Sequence, residues 1–243
     1  MESQQTRIRR AKELTLKNAQ RLLVDAQMLN DFDGIPSAFA MTVLAEEEFA
    51  KAFILYLVEM EVIPWTREIA RSLNDHSSKH LIGIVVDWVT TFIADFFTEL
   101  GKDYKTVEVS SLPWTPEVAH AMNIYRHNRV GRFRDGDGEI TVISNEPEEK
   151  AIDRAIEKRD KSKQDAIYVA VASDGGVARS PFDTSVEKLR EERGRADRFN
   201  LFCTDFLGNE LIMRNPSFRV FAETMKEVFA DLDGAKVIVG QRN

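Results

Sequence analysis

Residues 37–61 read SAFAMTVLAEEEFAKAFILYLVEME. A helix drawn through this stretch carries apolar side chains (Phe39, Val43, Leu44, Phe49, Phe53, Ile54, Leu57 and Val58) over most of its circumference. Such a helix has no solvent face to offer, so the pattern predicts the central member of a helical bundle. Pro36 sits early in it, where a missing amide is tolerated. Glu47 and Glu48 stand four and three residues before Lys51, so either carboxylate reaches the ammonium along the helix. Exposed, such a pair contributes less than about 1 kcal/mol. Among Leu44, Ala45, Phe49, Ala50, Phe53 and Ile54, its charges must instead be paired, lie in a cleft or be shared between subunits.

Working outward, residues 7–29 repeat apolar positions every three or four residues, from Ile8 and Ala11 to Ala26 and Leu29. One helix with a core-facing stripe is expected there, stopped by Asp31-Phe-Asp-Gly34. Ile63-Pro-Trp-Thr66 ends the second helix, and Thr66 with Glu68 reads as the cap and first-turn acid of the next. That third helical region spans 67–100 with a break near Asn74–Ser78, where Asn, Asp and Ser cluster. A further helix is expected at 117–133. Asp135-Gly-Asp-Gly138 and Ser173-Asp-Gly-Gly176 are turn sequences beside short runs at 139–143 and 166–171, read as strands of a hairpin. Between them, 147–165 is dense in charge, as a solvated helix or a mobile loop. Helices return at 184–207 and 216–232. The fold class is mainly α, a helical bundle with a small β-hairpin insertion. Its parts are a helical core over 1–110, an insertion of helix plus charged loop over 111–165, and a strand, turn and helices over 166–243 completing the same domain.

The chain has 243 residues, 40 acidic and 33 basic, for a net charge of −7. Phosphate affinity comes mainly from Lys and Arg, so nonspecific duplex binding is disfavoured and any nucleic-acid contact needs a local basic patch. The single cysteine, Cys203, excludes a disulfide or a thiolate zinc cluster within one chain and reads as a small buried hydrophobe. Residues 1–10 are polar and basic, without a signal-peptide core. The apolar run 80–97 is interrupted by Asp87 and Asp95, too short and charged to span a bilayer. A cytoplasmic protein without membrane contact is expected.

Arg71 and His76 are a pair capable of cutting RNA without a metal. RNA can be cleaved by attack of its own 2′-hydroxyl on the adjacent phosphorus. That route needs a base that is neutral near pH 7, as an imidazole is, and a cation for the charge growing on the phosphoryl oxygens. A guanidinium supplies the second. Five residues apart, the two side chains diverge by about 140° on a regular helix. Convergence on one phosphate therefore requires a break at Asn74-Asp75 or two copies facing each other. Lys79, one turn beyond His76, reads by default as the helical partner of Asp75 or else as a phosphate contact. His80 reads as a satisfied core or boundary histidine. Glu117 and His120 have helical metal-site spacing without a second copy, and Asp135–Glu139 lacks the remaining ligands of a calcium loop. No metal or cofactor is expected. Arg126, Arg129 and Arg132 belong to the one strongly basic segment with interleaved aromatics, either an RNA-contacting surface or a solvated helix end.

Several stretches, in order, resemble the AbiV-type branch of the HEPN superfamily, bacterial abortive-infection proteins acting against phage. They are Leu16-Lys-Asn-Ala-Gln-Arg-Leu-Leu23, Leu44-Ala-Glu-Glu-Glu-Phe-Ala-Lys51, Asp75-His-Ser-Ser-Lys79, Ala166-Ile-Tyr-Val-Ala-Val171, Asp174-Gly-Gly176 and Ser180-Pro181. The resemblance implies a homodimeric helical bundle whose R-x4-6-H sites meet across the dimer. It assigns Arg71 and His76 as catalytic, with Glu47, Lys51 and Lys79 supporting. Ser72 departs from the polar amide or acid often found after the arginine, and Val169-Ala170 lacks the acid of the family's Y-V-D strand. The expected function is a dimeric, metal-independent endoribonuclease acting on host RNA and triggered by a phage-encoded protein. The alternatives are a noncatalytic helical module docking a phage or host protein, and a carboxylate metal protein, which needs a second acidic cluster.

Overall fold

In a computed structural model, residues 2–100, 115–130 and 147–207 are described. α1 (Gln4–Asp31) is capped by Ser3, whose hydroxyl accepts from the Thr6 amide at 3.1 Å. A three-residue turn folds the chain back into α2 (Ile35–Glu59). The Gly34 amide donates to the Leu29 carbonyl at 2.8 Å, and a Cβ at Gly34 would stand 2.9 Å from that oxygen. The turn therefore closes only on glycine.

α2 is buried on every side: Phe39, Phe49, Phe53, Tyr56 and Leu57 are fully enclosed, as the apolar circumference predicts. The helix has no water to solvate its acids, so each finds a cation. Glu46 pairs with Arg159, Glu47 with Lys79 and Lys163, Glu48 with Lys51, and Glu59 with Arg9 and Lys12. Burial raises the Glu59 carboxyl, and the Lys12 and Arg9 cations overcome this and hold it below its ordinary value.

α3 (Arg67–Ser72) is capped by Thr66, which accepts from the Ile69 amide at 3.2 Å. The expected break falls at Leu73–Asp75, and α4 (His76–Leu100) begins directly after it. Asp75 causes the restart. Its Oδ2 accepts from the Ser78 amide at 2.8 Å and the Ser78 hydroxyl at 2.6 Å. Asp75 is therefore spent as a cap and does not pair with Lys79. Asp75→Ala should lower stability by about 1 kcal/mol, read as a lower denaturant midpoint with an unchanged slope. No loss at all would mean that the cap does not set this helix start.

α5 (Pro116–Asn123), capped by Thr115, runs on as a π-helical turn over Ile124–Val130. Within it the buried Tyr125 hydroxyl lies 3.0 Å from Ser72 Oγ, tying this segment to α3. α6 (Pro147–Asp165) shows the charged stretch to be a 19-residue helix. Strands β1 (Ala170–Val171) and β2 (Val177–Arg179) pair antiparallel around the 173–176 turn. The hairpin thus closes on this turn, while the run at 139–143 and the helix expected at 216–232 lie outside the described residues. α7 (Val186–Phe202), capped by Ser185, lays Phe199 and Phe202 into the core, where the Phe202 ring meets Phe53 at 5.9 Å between centroids. Among the described residues, no helix is long and apolar enough to cross a membrane.

Candidate active site

Three helices build one polar ladder inside this apolar bundle. α2 supplies two successive acids, Glu46 and Glu47. α4 supplies His76 and His80, four residues apart, and α6 supplies Arg159 and Lys163, also four apart. A separation of four is one helical turn, so α4 and α6 each present their pair on one face, while the adjacent Glu46 and Glu47 diverge by about 100° and each serves a different rung.

The outer rung centres on Glu47, which is only 2% exposed. Its Oε2 lies 2.6 Å from His76 Nδ1 and 2.8 Å from Lys79 Nζ, and its Oε1 lies 2.6 Å from Lys163 Nζ. Burial alone would raise this carboxyl; the Lys79 and Lys163 ammonium groups overcome it and hold it at about 2. Glu47 is therefore a carboxylate that can only accept. That fixes the tautomer of His76: Nδ1–H donates to Glu47, and the lone pair is left on Nε2. Lys163 Nζ also lies 3.3 Å from Nδ1, but one nitrogen cannot both donate to Glu47 and accept from Lys163. The carboxylate contact is shorter and charge-assisted, and Lys163 has Glu47 and Asp160, at 2.8 Å, to receive its protons. The His76 side chain is 52% exposed, so the ring is half open to solvent.

In the inner rung Glu46 and His80 are buried, while Arg159 and Glu192 are partly exposed. Arg159 bonds Glu46 and, at 2.6 Å, Glu192 of α7. Its Nη1 lies 3.1 Å from His80 Nδ1. A guanidinium has no acceptor, so His80 Nδ1 accepts and the ring proton sits on Nε2, facing Glu47 Oε1 at 3.7 Å. Burial and the Arg159 guanidinium push the His80 imidazole down to about 3, so the ring is neutral. Burial lifts the Glu46 carboxyl to about 8 against the pull of Arg159, and the neighbouring Glu192 carboxyl pushes it the same way as burial. Glu192 is also raised by burial, but Arg159 more than reverses this.

The predicted residues divide accordingly. Glu47, His76 and Lys79 come together. Lys51 does not join them: it pairs with Glu48 at 2.7 Å, on a different face of α2 from Glu47. Arg71 is exposed at the end of α3, across the break from His76, and its guanidinium has no partner among the described residues. Arg126 lies in the interior, 3% exposed, and Arg129 pairs with Asp153 at 3.1 Å. A guanidinium so enclosed meets no phosphate unless the segment opens. Arg132 is outside the described residues.

The sequence reading missed Glu46, Arg159, Asp160 and Lys163. One signal was present: Ile152 and Ile156 begin a core-facing stripe on α6, and the same stripe continues through Arg159 and Lys163. Donor atoms of Glu47, His76 and Asp160 lie within 4.8 Å of one another, as ligands of a divalent cation would. The Lys163 ammonium already stands among them, so the positive charge of this cluster is a lysine.

The family model described as AbiV, of the HEPN class, covers residues 7–200, a span that contains every residue of the ladder. No curated protein and no solved structure matches the chain. Matched over most of its length, with the motifs of α2 and α4 converging in one cluster, this chain belongs to the AbiV family of HEPN proteins.

Proposed function

We propose that the protein is an abortive-infection defence factor that cuts host RNA as a dimeric, metal-independent endoribonuclease, quiet until a phage-encoded trigger appears. The observation that carries this reading is the half-exposed His76 imidazole, held at Nδ1 by a buried carboxylate 2.6 Å away. A carboxylate that orients an imidazole in this way makes it a directed general base. His76 Nε2 takes the proton of the ribose 2′-hydroxyl, and the 2′-oxygen bonds to phosphorus. The 5′-oxygen leaves with a proton from solvent, giving a 2′,3′-cyclic phosphate and a 5′-hydroxyl end. The exposed Arg71 guanidinium neutralises the phosphoryl oxygens as their charge grows. Two copies facing across a dimer would bring a pair of such sites to one groove.

A docking module is the second reading, and one observation favours it. The hairpin and the segments flanking it expose Tyr168, Val171, Val177 and Phe182, the last at 89%. Purified protein incubated with total RNA in excess EDTA separates the two. Cleavage with cyclic-phosphate ends is expected, with Arg71→Ala lowering the rate roughly a hundredfold, the effect of removing one donor to a developing oxyanion. Intact RNA under trigger-activated conditions, together with an Arg71 variant that still protects cells, would favour docking.

A further inference from the structure

Lys163 belongs to neither of the motifs that mark the site, and it arrives from α6, in the segment read from sequence as an insertion. We infer that Lys163 is a positioning residue of the His76 site: its ammonium engages Glu47 Oε1, so that Oε2 stays ionised and directed at the imidazole. The functional consequence rests on the nuclease reading; the electrostatic consequence does not.

Charge balance carries the inference. The groups facing Glu47 are His76, Lys79 and His80 from α4, and Lys163 with Asp160 behind it from α6. On α2 itself, Glu46 and Glu48 are paired with Arg159 and Lys51; from α7, Glu192 engages the inner rung at Arg159 and Glu46. Glu47 and Asp160 against Lys79 and Lys163 leave the outer rung neutral when His76 is neutral. Removing Lys163 leaves a net negative charge in a place that water barely reaches, since Lys163 and Glu47 are both buried. A buried cluster answers such an imbalance by taking up a proton. The proton lands on the Glu47–His76 pair, where it weakens the base. Geometry acts in the same direction. With Oε1 left only the His80 ring 3.7 Å away, the carboxylate is free to rotate its two oxygens between His76 and Lys79, and the imidazole loses its single orientation.

Lys163→Met, with Lys163→Arg as the charge-preserving companion, tests this in the full chain. The methionine variant should cut RNA about 10- to 100-fold more slowly in kcat, with KM nearly unchanged, and arginine should restore most of the rate. The acid limb of the pH–rate profile should move up by about one pH unit. Independently of activity, the carboxyl-carbon NMR signal of Glu47 should titrate at least about one pH unit higher in the methionine variant than in the parent protein. Should methionine prevent folding, Lys163→Gln, which keeps a donor without the charge, carries the same titration. A folded, uncharged variant whose Glu47 signal does not move overturns the inference, whatever becomes of the nuclease reading. A signal that moves in a protein that never cuts RNA overturns the nuclease reading and leaves the placement of Lys163 standing.

Discussion

His76→Ala is expected to reduce RNA cleavage by roughly 100- to 10,000-fold, the range contributed by a well-placed general base. It should also relieve growth arrest in cells carrying the activated protein. The fold should survive. The side chain is half exposed, and Glu47 keeps both of its ammonium partners after the imidazole is gone. The stability change should therefore stay within about 1 kcal/mol, as for a surface substitution. These two expectations together separate chemistry from scaffolding. A residue that merely held α4 in place would lose activity and melting temperature in step. The measurement is single-turnover cleavage of total RNA in EDTA beside a thermal melt of the same preparation. Wild-type cleavage by the alanine variant would remove His76 from the mechanism. The solution mass belongs beside it, because the proposal needs two protomers and the expected value is twice the chain mass of 27.7 kDa.

Why some of this site was visible in the sequence and some was not has a physical explanation. α2 was legible because a helix apolar on nearly all sides has only one place to go. The break at Asn74-Asp75 was legible because Asp and Ser offer the backbone an alternative to the helical ladder. Glu47 was legible as an acid that could not stay unpaired. Its partner was not. Spacing along one helix proposes Lys51, but positions 47 and 48 point about 100° apart. Residue 48 shares a face with Lys51, while residue 47 turns toward α4 and α6. Local rules rank neighbours within a helix and are silent on lysines 32 or 116 residues away. α6 was harder still. Its charge density suggests a solvated helix, and only the register of Arg159 and Lys163 with Ile152 and Ile156 marks those two cations as facing inward.

Arg159→Met should be the most destabilising single change in the ladder, at about 3–5 kcal/mol, the cost of stripping one partner from a buried charge pair. The remaining Glu46 and Glu192 carboxyl groups would face each other with only Arg195, 3.9 Å from Glu192, to offset them. For a chain of this size, that is a fall of roughly 6–20 °C in melting temperature. The penalty should also depend on pH, with a sign that follows from Glu46. In the parent protein this carboxyl sits at about 8, above its ordinary 4.5, so folding favours its protonated form. The stabilisation it gives is complete below about pH 4.5 and is lost as pH rises through about 8. Glu47 runs the other way: held at about 2, it stabilises fully above about pH 4.5 and loses that contribution as pH falls through about 2. Without Arg159 only the weaker pull of Arg195 opposes the desolvation of Glu46, so acid conditions, which protonate it, should spare the methionine variant and pH 8 should harm it most. Glu46→Gln imitates the protonated acid and removes a titrating group. The double variant Arg159→Met/Glu46→Gln should therefore recover a substantial part of the loss at pH 8 and little at pH 5. Chemical denaturation of the four proteins at both pH values measures the coupling directly. A penalty for Arg159→Met that is the same at pH 5 and pH 8, and unrelieved by Glu46→Gln, would show that the guanidinium serves packing rather than charge.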